Sequence, residues 1–147
     1  MINNPLRTSD DYELFLYTSS DTYPSIRNST ITFVRKGMSL ARVAGEINFD
    51  NHIRLVVRER LEYRRLPVLI DWYGYEVCKE DTKLYWYDSQ PHPNDASLQS
   101  THPHHKHIPP NIKHNRIPAA NMNFNQPNIP SLIFEIEELI SLDLQKY

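Results

Sequence analysis

Cysteine is almost absent from this chain: among 147 residues only Cys78 carries a thiol, so no internal disulfide can form. The start, Met1 to Asp11, also lacks the basic, apolar and small-residue order of a secretory signal. Both absences point to a reducing compartment, expected to be the cytoplasm. No apolar run approaches the roughly 18 residues that cross a bilayer, which excludes a helical membrane span. Net charge is only −2, which argues against indiscriminate coating of nucleic acid. No internal repeat or heptad pattern recurs.

What is present fits one folded domain, residues 1–147, with 39% apolar and 23% charged residues; this is too apolar and too nearly neutral for a disordered chain. Ser9 or Asp10 can cap a helix from Asp11 to Ser19, with Leu14, Phe15 and Thr18 at helical spacing. From Ser29 the period becomes two, at Ile31/Phe33, Ala41/Val43/Gly45/Ile47/Phe49 and Ile53/Leu55/Val57. Asp50-Asn51 suits a tight turn between the last two runs. Further strands are predicted over Val68–Cys78 and Lys83–Asp88, joined by a short polar linker. Residues 91–130 are rich in proline, histidine and asparagine and read as one long functional loop. Ser131 then caps a last helix with Leu132, Ile133, Ile136, Leu139 and Ile140 on one face. The expected fold class is α+β: an antiparallel meander of about five strands with a helix at each end and a long His/Pro-rich loop.

Charge is unevenly placed. Arg42, Arg54, Arg58, Arg60, Arg64 and Arg65 crowd one stretch, while Glu135, Glu137, Glu138 and Asp143 mark the end of the chain. Six of seven histidines lie between His92 and His114, four of them within His102-Pro103-His104-His105-Lys106-His107. In an extended segment His102 and His104 project to one side and His105 and His107 to the other. Such imidazoles serve as acids or bases near neutral pH, bind metals, or simply hydrogen-bond within a loop. Neither HExxH nor paired CxxC spacing occurs, which ranks metal binding below acid/base or phosphate chemistry; no metal ligand is assigned and no cofactor is named.

Glu59 shares strand parity with Ile53, Leu55 and Val57, so alternation turns its carboxylate toward the apolar face. There it either pairs with arginine or histidine and becomes a base, or lies past the core and faces water. Arg42, Arg58 and Arg60 have the opposite parity or lie across the hairpin, forming either a phosphate-binding face or a solvated one. Trp72, Tyr73, Tyr75, Tyr85, Trp86 and Tyr87 divide between core and a surface able to stack nucleic-acid bases.

Taken together, Gly45-Glu46-Ile47-Asn48-Phe49, Leu55 with Glu59, Tyr73-Gly74-Tyr75, Tyr85-Trp86-Tyr87-Asp88, Pro91-His92 and Thr101 to His107 resemble the TumE-like family of toxins. The resemblance runs from about Phe33 to the C-terminal helix, and Pro-His-His-Lys-His is its most specific part. It implies a toxin of a type II toxin–antitoxin pair, with a small DNA-binding antitoxin as partner. By position it carries over Glu59, Tyr75, Asp88, His92, His104, His105, Lys106 and His107. Many members have arginine where Trp86 stands. Two readings follow. In the preferred one the chain is an enzyme-type toxin acting on RNA or another phosphate-bearing substrate. Glu59, Asp88, His104, His105 and His107 then form the catalytic set, and Arg42, Arg58, Arg60, Lys106, Tyr75 and His92 bind substrate or phosphate. In the other the loop docks a protein partner without catalysis. An exposed sheet edge also leaves room for a homodimer.

Overall fold

A computed structural model describes residues 4–145. Its α-helices are α1 (Ser9–Tyr17), α2 (Ser19–Thr22) and α3 (Ile129–Gln145). Its strands are β1 (Asn28–Ser29), β2 (Thr32–Lys36), β3 (Leu40–Asn48), β4 (Ile53–Glu62), β5 (Leu69–Lys79), β6 (Thr82–Asp88), β7 (His105–His107) and β8 (Arg116–Pro118). All pair antiparallel in one sheet of order β1-β3-β4-β5-β6-β7-β8, with β2 beside β1 on the outer edge of β3. The α+β meander stands as expected, but with eight strands rather than about five.

The additional strands have too little pattern to declare themselves. β1 has two residues, both exposed. β7 and β8 have three residues each and lie within the segment 91–130, which is therefore partly sheet and not one loop. Prolines bracket these strands instead of interrupting them, and Pro118 takes the last position of the edge strand β8, where its missing N–H is tolerated.

At the start of the chain the cap is Thr8, whose hydroxyl accepts from the Asp11 amide at 3.1 Å. The buried face of α1 is Tyr12 and Leu16, while Leu14 is 63% exposed, which corrects the expected face and start of this helix. The last helix begins two residues before Ser131, with the Leu132 amide bonded to the Asn128 carbonyl. Asn51 and His52 both have positive φ, 61° and 60°, and are the central residues of the turn closed by the Ile53 amide on the Asp50 carbonyl, within a three-residue loop between Phe49 and Ile53.

Gly45 has φ of 146°, and a Cβ there would stand 2.5 Å from the Thr30 carbonyl oxygen, at the crossing from β1 to β2. Only glycine fits both constraints. Gly45→Ala is expected to lower the unfolding free energy by at least about 2 kcal/mol. Urea denaturation reads this, and an unchanged midpoint would show that the β1–β2 crossing yields freely.

Alternation separates the two faces of the sheet. Ala41, Val43, Ile47, Ile53, Leu55, Val57, Leu61, Ile70, Tyr73, Tyr75 and Val77 are buried together with Leu6, Tyr12 and Leu16 at one end of the chain and Ile129, Leu132, Ile133 and Ile136 at the other. Helices thus cover this face. Among the described residues no α-helix lies over the opposite face, although His92 and Ile112 lie against His105 and His107, which are buried there. Its register aligns Ala44, Arg58, Gly74, Asp88, His105 and Pro118 in one row across six strands. A parallel row contains Glu76, Trp86, His107 and Arg116. Among the described residues no helix is long and apolar enough to cross a membrane.

Candidate functional site

Strand β6 ends at Asp88, which pairs directly with His105 of β7, while His107 lies diagonally across from it beside Trp86. Residues i and i+2 of a strand share a face, so both imidazoles reach the same carboxylate. His105 Nε2 stands 2.9 Å from Asp88 Oδ1 and His107 Nε2 stands 3.2 Å from Asp88 Oδ2. The two Nε2 atoms are themselves 3.2 Å apart. Each Nδ1 faces a main-chain carbonyl, that of Pro103 at 3.0 Å and that of Ile112 at 2.9 Å. Among the described residues, Asp88, His105 and His107 are the group whose donor atoms lie close enough together to hold a metal ion.

Electrostatics differ across the three. Burial pushes the Asp88 carboxyl upward, but the His105 hydrogen bond, the Gln90 amide and the nearby imidazoles bring it below the usual aspartate range. For His105 burial acts downward and is outweighed by Asp88 and the Pro103 carbonyl, which raise it. Burial dominates at His107 and lowers it, although Asp88 opposes. The Asp88 side chain keeps 24% exposure, against 1% for His105 and 6% for His107, so the carboxylate is the part of the cluster that meets solvent.

Next to Asp88 the open face sinks into a cavity of about 250 Å³, lined by Arg58, Trp72, Gly74, Glu76, Lys83, Trp86 and Gln90 among others. Gly74 leaves its floor low: an added Cβ would lie 3.7 Å from the Trp72 indole and 3.9 Å from the Arg58 guanidinium. Lys83 Nζ sits 4.0 Å from the centre of the Trp86 ring and pairs with Glu76, which Arg58 approaches to 3.8 Å. Cations and aromatic rings of this kind suit a phosphate-bearing, base-bearing ligand.

The expected site residues divide between the two faces. Asp88, His92, His105 and His107, with Arg42, Arg58 and Arg60, belong to the open side; the His92 ring lies 4.8 Å from that of His105 and is approached by Arg116 at 2.8 Å. Burial and the adjacent Arg116 charge lower the His92 pKa. Arg60 is engaged by Asp71 at 2.8 Å. Glu59, Tyr75, His104 and Lys106 lie on the helix-covered side. Glu59 is 2% exposed, as its parity predicts, but its partners are the hydroxyls of Tyr12, at 2.6 Å, and Tyr75, not an arginine or histidine. Tyr75 also accepts from Asn128 at the start of α3. His104 bonds the Tyr73 hydroxyl at 2.7 Å and packs on Phe124, and burial lowers its pKa. Lys106 lies over the Tyr85 and Tyr87 rings, 3.5 Å from Glu135 of α3. These four cannot converge with Asp88 because the sheet stands between them.

Lys83 and Arg116 were not singled out by sequence, and Gly74 entered only within the Tyr73-Gly74-Tyr75 motif, without a role at the site. Parity with the exposed Trp72 was the available signal for Gly74, whereas Lys83 reaches the face of Trp86 through the register shift beside Val77 and Cys78, and Arg116 arrives by strand pairing.

Compared with known proteins, residues 13–140 match a family model described as Toxin TumE. No curated protein and no solved structure matches the chain.

Proposed function

This chain belongs to the TumE toxin family, and from that premise we propose that it is the toxin of a type II toxin–antitoxin pair that acts on RNA or another phosphate-bearing substrate laid across the open sheet face. The observation that carries this reading is the row Arg58, Gly74, Asp88 and His105, which places a cation, a low floor and the solvent-facing carboxylate of a polar cluster side by side on one face of the sheet. Arg58 and Lys83 neutralise phosphate, Trp72 and Trp86 offer rings for bases, and Asp88, the exposed member of its cluster, meets the substrate. His105 and His107 hold that carboxylate in place. Glu59, Tyr75, His104 and Lys106 instead join the sheet to α1, α3 and the segment before α3, a structural role. A small antitoxin that blocks the open face is the partner this arrangement suits.

The test is induced expression of the wild type, His105→Ala/His107→Ala and His104→Ala, with soluble protein matched and total RNA examined in the same cultures. Growth arrest with RNA loss in the wild type, absent in the folded double variant and kept in His104→Ala, is expected. Arrest with intact RNA would move the target elsewhere. No arrest from abundant folded wild type would overturn the toxin reading and leave a non-catalytic docking domain.

A further inference from the structure

We infer that Asp88, His105 and His107 bind one divalent first-row transition-metal ion. The ion occupies the site of the proposed function and rests on that reading for its role, but its binding stands on side-chain geometry alone.

Three observations carry it. First, the donor spacing is that of a coordination sphere. Ligands about 2.0–2.2 Å from one ion stand about 3.0 Å apart at an octahedral edge and about 3.4 Å apart at a tetrahedral one. The three separations here are 2.9, 3.2 and 3.2 Å. Second, the tautomers are set. A carbonyl oxygen only accepts, so the Nδ1 atoms facing Pro103 and Ile112 carry the hydrogens and both Nε2 lone pairs turn inward. Main-chain carbonyls behind imidazoles are the usual outer support of metal-binding histidines. Third, the cluster is short of hydrogens. Two bare nitrogens and two carboxylate oxygens converge, and a single proton between His105 and Asp88 leaves the other two contacts lone pair against lone pair. One dication at their common centre satisfies all three.

The ligand set selects the ion. Two imidazoles with one carboxylate suit Zn²⁺, Mn²⁺, Fe²⁺ or Co²⁺, whereas Mg²⁺ and Ca²⁺ prefer oxygen alone. Three protein ligands leave further positions for outside oxygens. Asp88 borders both the cluster and the cavity beneath Trp72 and Trp86, so a phosphate oxygen entering from the open face is the natural external ligand. Sequence spacing ranked metal binding low because two ligands lie on β7 and the third, seventeen positions before His105, arrives only through strand pairing.

Titration of the purified protein, stripped with chelator, against Zn²⁺ and Co²⁺ tests this. Calorimetry is expected to give one ion per chain, and bound Co²⁺ to give visible absorption bands. Asp88→Asn and His107→Ala, each shown folded by circular dichroism, should weaken binding at least about a hundredfold. His114→Ala removes an exposed histidine outside the cluster and should bind as the wild type does. If a variant fails to fold, the melting temperature of the wild type serves in its place, rising with Zn²⁺ and returning with chelator. No binding to folded wild type, or equal binding in all variants, would overturn the inference. Metal binding without growth arrest would sink the toxin reading alone, and histidine-dependent arrest without metal binding would sink the metal alone.

Discussion

Asp88→Asn is expected to abolish growth arrest while the protein stays folded. The amide keeps the size of the side chain and a carbonyl oxygen for the Gln90 amide, which donates to Asp88 at 3.0 Å. What it removes is the negative charge between two imidazoles whose Nε2 atoms stand 2.9 and 3.2 Å away. Whether a proton or a metal ion occupies that space, the arrangement depends on the charge. Loss of one such group costs at least about 10²-fold in rate. Because Asp88 is partly exposed, the stability cost is on the order of 1 kcal/mol. Turnover of labelled RNA by purified protein, measured beside the melting temperature, separates the two effects. Full activity in the variant would remove Asp88 from the chemistry and with it the proposed site.

Glu59 gives the second large effect, on stability and its pH dependence. Burial pushes its carboxyl from the ordinary 4.5 up to about 7, against the hydrogen bonds from Tyr12 and Tyr75 that act downward. Since the folded value is the raised one, the folded protein still holds a proton that the unfolded chain has already released. The contribution of this proton is fully present below pH 4.5 and lost as pH climbs through about 7. The difference of 7 − 4.5 = 2.5 pH units corresponds to about 3 kcal/mol. Glu59→Gln cannot ionise, so its stability relative to the wild type should improve by about 3 kcal/mol between pH 4.5 and pH 8. Urea unfolding of both proteins at four pH values across that window measures it, and other titrating groups cancel in the comparison. A constant difference would mean that Glu59 keeps an ordinary pKa and is solvated in the fold.

Both predictions depend on which face of the sheet a residue occupies, and that much was legible in the sequence. The alternation Ile53, Leu55, Val57 turns Glu59 inward because a strand has period two, and the same rule separates His104 from His105 and His107. Long strands such as β3 to β6 repeat their pattern often enough to be read, as does the apolar stripe of α3. Three-residue strands repeat nothing, so β7 and β8 were hidden in a segment punctuated by proline. The family resemblance brought Glu59, Tyr75, Asp88, His92 and the His-Lys-His residues forward as a group, but it carried no information on how they divide.

By itself, then, the sequence determined the alternation, the order of the main strands, the terminal helices and the residue types available for chemistry, all of which follow from local geometry and short-range pattern. Only the tertiary structure decided that β7 docks against β6 in the register that pairs Asp88 with His105, and that Glu59 accepts from Tyr12 and Tyr75 rather than pairing with an arginine or histidine. Those outcomes come from contacts between residues far apart along the chain, whose partner and register are set by the packing of the whole sheet rather than by the residues that meet there.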